Sequence, residues 1–167
     1  MVVAMEHAMK LQDILRGKGQ EVHAIGPDAS LEEVVSELVR HNIGSLIVCE
    51  SMSRGMDIRI IGIVTERDVM RAQAKLRRPL GAMRVADVMS ADLVTAEPGD
   101  RIEHAMRLMT SHRIRHLPIV ACDRLLGVIS IGDIVKAHHD QLELENFYMA
   151  SYIRGESAAV AFPPDGA

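Results

Sequence analysis

Apolar positions in this chain follow two rhythms that alternate and then repeat. Leu31, Val34, Val35, Leu38 and Val39 fall at the three-and-four spacing that lines one face of a helix. Ser30 stands ahead of them with Glu33 three residues later, a capping box that marks a helix start. The helical rhythm gives way at His41-Asn42 to two short runs rich in branched aliphatics, residues 45–49 and 59–64, which read as strands. The same order returns further on. Ile102, Ala105, Met106 and Met109 predict a helix, with Asp100 and Glu103 as its capping pair, ending at His112-Arg113. Runs at 117–121 and 125–130 follow, joined through Cys122-Asp123-Arg124 as a tight turn between antiparallel strands. A short extended piece precedes each helix, residues 23–25 and 93–96, and ends before Pro27 or Pro98, which cannot continue a ladder. A last helix in each half is expected to begin at Thr65 or Ser130.

The two halves are copies of one unit. An offset of 71 residues places Pro27 on Pro98, Glu32 on Glu103, His41 on His112 and Val48 on Ile119; an offset of 65 then places Gly62 on Gly127 and Asp68 on Asp133. The first copy therefore carries six extra residues between 50 and 59, read as a longer hairpin loop. A unit this small cannot bury its sheet face and helix stripes alone, whereas two packed sheet to sheet can. The expected architecture is α+β, a β-α-β-β-α unit used twice about a pseudo-two-fold axis, with clefts where strands of one copy meet the helix start of the other. Residues 1–21 form an N-terminal segment and lead-in helix, 22–78 the first repeat, 79–92 a linker, 93–145 the second repeat, and 146–167 a helix end with a disordered tail.

Composition narrows the chemistry. With 11 Met, no Trp, two Phe and two Tyr, the interior must be aliphatic, and a planar ligand would lie between Ile, Val, Leu and Met. The net charge of −4 comes without a basic block, which argues against nucleic acid, since phosphate neutralisation needs concentrated cations. No apolar run approaches the ~20 residues of a membrane span. The opening residues lack the charged and apolar regions of a signal peptide. Cys49 and Cys122 fit no metal or redox spacing, and a reducing cytoplasm is the expected compartment.

The sharpest local signal is Gly62-Ile63-Val64-Thr65-Glu66-Arg67-Asp68, echoed as Gly127-Val128-Ile129-Ser130-Ile131-Gly132-Asp133. A strand turning into a helix there offers amides and a positive dipole end to a phosphate. The hydroxyl at the cap can join them, and an Asp one turn in can accept from ribose hydroxyls. The same S/T-x-x-D pattern is also an ordinary helix cap. With Arg113-Ile-Arg-His-Leu-Pro118, and the lead-in pieces Leu11-Gln-Asp-Ile-Leu15 and Val85-Ala-Asp-Val-Met89, the chain over residues 11–139 resembles the CBS-domain family, whose repeats pair into a Bateman module.

That resemblance implies a regulatory, non-enzymatic module binding AMP, ADP, ATP, S-adenosylmethionine or NAD, with the Asp on the ribose, and a disc-like homodimer. Carried onto this chain, one cleft would use Asp133, Ser130, Ile131 and Gly132, with Arg115 and His116 adding positive charge and His23, Ala24 and Ile25 forming a wall. The other would use Asp68, Thr65, Glu66 and Arg67, with Gly44, Ser45 and Thr95. The Asp133 cleft is expected to be the better nucleotide site, because Gly44-Ser45 stand where the second copy has Arg115-His116. Metal binding is not expected, His138 and His139 lacking a partner four residues away. Two other functions remain: an interaction module with vacant clefts, and an IMP dehydrogenase-like enzyme, whose barrel would need about 200 residues or more.

Overall fold

The structure is a computed structural model, and it describes residues 9–19, 21–50 and 59–153, apart from the side chain of Tyr152. The expected long loop between 50 and 59 and the tail from 156 lie outside the described residues for all but their edges. The elements are α1 (Leu11–Lys18), β1 (Ala24–Ile25), α2 (Leu31–His41), β2 (Ser45–Cys49), β3 (Ile60–Thr65), α3 (Glu66–Leu76), α4 (Ile102–His112), β4 (His116–Ala121), β5 (Arg124–Ser130) and α5 (Ile131–Ile153). Two short 3-10 turns, Leu80–Ala82 and Val85–Asp87, lie in the linker.

Each repeat builds its own small sheet. In the first, β1 runs parallel to β2, and β2 antiparallel to β3, with Ser45 opposite Thr65 and Val48 opposite Gly62. In the second, β4 and β5 form a hairpin with His116 opposite Ser130. Its turn is Cys122-Asp123, both at positive φ (48° and 59°), the backbone of a two-residue hairpin whose twist matches the strands. Residues 93–96, expected as a strand like β1, contribute only the single bridge of Ala96 to Ile119. The reason is Pro118. In the first repeat the Ile47 amide donates to the His23 carbonyl at 3.0 Å. Pro118 holds the place of Ile47 and has no N–H to give.

The α2 cap is as expected: Ser30 N–H donates to the Glu33 carboxylate at 2.7 Å, and Glu33 N–H donates to Ser30 Oγ at 3.2 Å. The second copy differs. Arg101 is the N-cap of α4, without a side-chain cap bond, because the Asp100 carboxylate instead accepts the Glu97 amide in the turn around Pro98. Both helices end on a left-handed residue, Asn42 or Arg113.

Buried side chains form two clusters, one per repeat, and each is closed by the lead-in of the other. Leu11, Ile14 and Leu15 of α1 belong to the cluster of the second repeat, with Ile102, Met109, Leu117, Ile119, Ile129 and Ile134. Met83 and Val85 from the linker belong to the cluster of the first, with Leu31, Val34, Leu46, Val48 and Val64. The backbone repeats this exchange bond for bond. Leu31 N–H donates to Met83 O (3.0 Å), Val85 to Ala29 (2.9 Å) and Ala86 to Pro27 (2.9 Å). In the other half Ile102 donates to Met9 (3.2 Å), Leu11 to Asp100 (2.9 Å) and Gln12 to Pro98 (2.9 Å). The strand glycines are the seats: a Cβ on Gly127 would stand 2.7 Å from Leu15 Cδ2, and one on Gly62 would stand 2.8 Å from Met89 Sδ and 2.9 Å from the Ser90 carbonyl.

Candidate functional site

The heads of α3 and α5 are built alike. Thr65 N–H and Oγ1–H donate to Asp68 Oδ2 at 2.9 and 2.6 Å, and Ser130 N–H and Oγ–H donate to Asp133 Oδ2 at 2.7 Å each. The ordinary capping role is therefore real, but in each carboxylate it falls on one oxygen. The first helical amides are also engaged, Glu66 by the Gly44 carbonyl (3.3 Å) and Ile131 by the Arg115 carbonyl (2.9 Å). This ties each helix head to the start of its neighbouring strand.

A cleft of about 450 Å³ opens beside Asp68, between the repeats. The first repeat contributes Gly44, Ile63, Thr65, Glu66, Arg67 and Arg71 around that carboxylate, and the second contributes Arg113, Ile114, Arg115, His116 and Pro118. The linker adds Ser90 and Asp92, and the start of the second repeat adds Leu93 and Val94. Its floor is held by the pairing of Ile63 with Ser90, N–H to O at 3.0 and 2.9 Å in the two directions. Arg67 crosses to donate to the Arg113 carbonyl at 3.0 Å. Four arginines face three carboxylates here, and Ile63, Leu93, Val94, Ile114 and Pro118 supply apolar surface. Charge for an anion and aliphatic surface therefore share one opening.

At the other head Asp133 Oδ2 also accepts from Lys18 Nζ at 2.6 Å, across 115 residues of sequence. Burial alone would raise this carboxyl, but the Lys18 and Ser130 hydrogen bonds outweigh it and hold it below the usual carboxylate range. His116 lies near both helix heads. Burial pulls its imidazole below the ordinary value, with Glu66 acting the opposite way. Gly44 makes room for that ring, since a Cβ there would stand 2.9 Å from His116 Cε1 and Nε2.

The structure groups the expected residues differently from the sequence assignment. Arg115 and His116, placed there with Asp133, line the Asp68 cleft. Gly44, Thr65, Glu66 and Arg67 line it as well, whereas Thr95 is exposed outside it and Ser45 is engaged opposite Thr65 in the ladder. Of the wall expected beside Asp133, Ile25 is turned into the core of the first repeat, so its side chain is not free to meet a ligand. Ala24 is half-buried in β1, and the half-buried His23 ring stacks on His41 with centroids 3.9 Å apart. Ile131 and Gly132 are exposed at the start of α5. Sequence reasoning did not single out Arg71, Ser90, Asp92 or Lys18. Arg113 was read only as a helix end and as part of its motif; it is the left-handed cap of α4, and that turn of the chain brings it to the cleft. His139 does have a neighbour four residues on, with Glu143 3.8 Å away. The group it forms with Asp140 and Glu143 is wholly exposed.

Comparison with known proteins agrees with this architecture. The family described as CBS domain matches residues 18–75 and 85–140. The CBS domain-containing protein CBSX3, mitochondrial, of Arabidopsis thaliana is 31% identical over 149 residues, 83% of this chain and 71% of that protein. Among solved structures, the CBS-domain containing protein ATU1752 from Agrobacterium tumefaciens superimposes with a TM-score of 0.72 at 34% identity, covering 78% of this chain and 99% of the other. The CBS domain pair of protein MJ0100, solved with 5'-methylthioadenosine and S-adenosyl-L-methionine, shares the fold at a TM-score of 0.68 and 21% identity, over 80% and 98% of the two chains. With two matched repeats, the lead-in exchange and the paired helix-head carboxylates, this chain belongs to the CBS-domain family.

Proposed function

We propose that this protein is a non-enzymatic sensor that binds an adenosine-containing nucleotide in the cleft beside Asp68. The observation that carries the reading is the composition of that cleft: a carboxylate at a helix head with one oxygen left over from capping, opposite Arg113 and Arg115 of the other repeat. The ribose hydroxyls meet Asp68, the phosphates meet the arginines, and the adenine lies between Ile63, Leu93, Val94 and Pro118. The volume suits a mononucleotide. AMP, ADP and ATP fit this charge pattern best, ahead of the sulfonium of S-adenosylmethionine, although the MJ0100 pair shows that the fold can hold an adenosyl sulfonium. NAD, with its second nucleoside, would have to extend beyond the cleft. Asp133, expected from the sequence to head the better site, is the weaker candidate, since its carboxylate is paired with Lys18 and its expected companions Arg115 and His116 line the Asp68 cleft.

Self-association is part of the proposal. A groove of about 480 Å³ between α2 and α3 is lined by Val35, Leu38, Val39, Ile43, Val69 and Met70. Val39 and Met70 are 76% and 72% exposed, and Val135 on α5 takes the position of Met70 in the second repeat. A second copy covers this face, and nucleotide binding between the repeats alters how the two copies meet.

Thermal shift tests the reading. AMP or ATP at 100 times its dissociation constant adds about 2.7 kcal/mol to stability. For a chain of this size that is a rise of about 5–10 °C in Tm. Asp68→Ala lowers the starting Tm through the lost cap, so the quantity compared is the ligand-induced rise within each protein. A rise that survives intact in Asp68→Ala, or no rise with any adenosine compound, refutes the proposal and leaves a purely structural module.

A further inference from the structure

We infer that the second half of α5 is a dimer arm, which pairs antiparallel with the same helix of a second copy about a two-fold axis at Leu142. This rests on the proposal that two copies associate, and it adds an element that lies outside the repeats.

The arm has little to pack on within its own chain. α5 is 23 residues long, whereas the family match ends at residue 140. Its first half packs into the core of the second repeat through Ile134 and Ala137. From Leu142 to Met149 every residue is exposed, Phe147 and Tyr148 by nearly half and Met149 by 67%. A helical stretch of about 12 residues is marginal in water, and packing of an apolar face is what stabilises it.

The order of the exposed apolar residues says what covers them. Ile131, Val135, Leu142, Met149 and Ile153 are 38–82% exposed and follow one another at spacings of four, seven, seven and four. Such spacings are one or two helical turns, so the five form a single stripe. The series reads the same from either end. A two-fold contact demands this, since residue i meets j and j meets i. With the axis at Leu142, that side chain meets its own copy, Val135 meets Met149, and Ile131 meets Ile153.

Charge fixes the direction. In the antiparallel register His139 stands across from Glu145, Glu143 from Gln141, Asp140 from Leu144 and Asp133 from Ser151, so no two carboxylates oppose. Parallel pairing would set Asp140, Glu143 and Glu145 each against itself, and opposed like charges are costly. Size points the same way. A stable interface takes about 20–30 residues from each copy. The α2–α3 groove is lined by nine. The stripe passes through Val135, the second repeat's counterpart of Met70 in that groove, and supplies part of the shortfall.

The test is disulfide trapping in the full chain carrying Cys122→Ser, which leaves only the buried Cys49. Under mild oxidation Leu142→Cys links to its own copy, because it lies on the axis. Val135→Cys and Met149→Cys do not link alone but do link when the two proteins are mixed and allowed to exchange. Asp140→Cys, on the opposite side of the helix, does not link. In light scattering the wild type is a dimer, and Leu142→Glu raises its dissociation constant at least about tenfold, since two carboxylates then meet at the axis. Val135→Cys and Met149→Cys each linking to itself means parallel pairing and overturns the inference. Leu142→Cys failing to link, or Leu142→Glu dimerising like the wild type, overturns it too; a wild-type dimer that the joint change Val39→Glu and Met70→Glu disrupts then keeps self-association through the α2–α3 groove. A monomeric wild type overturns both. A dimer lost in Leu142→Glu and kept in the Val39→Glu, Met70→Glu protein upholds the arm and dismisses the groove.

Discussion

Gly62→Ala puts the exchange of lead-ins to a quantitative test. A methyl at this position meets Met89 Sδ at 2.8 Å and the Ser90 carbonyl oxygen at 2.9 Å. Ordinary contact begins at about 3.5 Å, so both must retreat by more than half an ångström. The thioether can turn aside, but the carbonyl is backbone and accepts the Ile63 amide, with the Ser90 amide donating back. Overpacking costs about 1–3 kcal/mol. Straining two hydrogen bonds adds about 1 kcal/mol. Against that, Ala in place of Gly within a strand returns about 0.5–1 kcal/mol. The net loss is about 1–3.5 kcal/mol, or about 2–14 °C in Tm. Gly127→Ala is the internal control. Its new methyl meets Leu15 Cδ2 at 2.7 Å, but the next atoms stand 3.7 and 3.8 Å away, so one side chain end must turn and no backbone moves. Its loss should be about 1 kcal/mol. Melting curves of the two variants and wild type decide the matter. Because Ser90 also lines the Asp68 cleft, Gly62→Ala should weaken nucleotide uptake more than Gly127→Ala does. A Gly62→Ala protein melting with the wild type, or a Gly127→Ala protein falling further, would refute the reasoning.

Two further outcomes are expected. His116 is held neutral by burial, with a folded pKa below its ordinary value, so the unfolded chain takes up a proton first as pH falls. Stability is then full above about pH 6.5 and declines below it toward the folded pKa. Urea midpoints between pH 8 and 5 should show a decline that His116→Gln reduces, and parallel profiles would dismiss it. The Asp133 contribution has the opposite chemistry and a lower window, being present above the usual carboxylate pKa and lost only in stronger acid. On the α2–α3 face, the double change Val39→Glu and Met70→Glu should convert a dimer to a monomer in light scattering without lowering Tm by more than a few degrees, since both side chains are largely exposed. An unchanged mass would place the contact between copies elsewhere.

Local signals carried most of the elements. Helical spacing from Leu31 and Ile102, the branched runs after them and the matched glycines located both repeats, because these features depend on residues a few places apart. The Asp100 cap was misjudged for a local reason as well: two amides compete for one carboxylate, and the turn after Pro98 wins it for Glu97. The site was less legible. Which helix head Arg115 and His116 meet depends on how one repeat is placed against the other, and no offset between aligned copies carries that information. Nothing in the sequence ties Lys18 to Asp133, because the tie exists only once α1 has crossed to the opposite repeat. Pro118 could be read as a strand irregularity, but the bond it withholds becomes apparent only beside Ile47 and His23.

The crossing of α1 also bears on synthesis. An emerging chain presents Leu11, Ile14 and Leu15 first, while their seat around Gly127 and Ile134 is made more than a hundred residues later. Until then that apolar face has no native partner, which makes α1 a surface for holding factors and for misassembly. The first repeat waits far less, since Met83 and Val85 follow soon after its last helix. α1 is therefore among the last of these elements to settle, although it precedes both repeats in the chain.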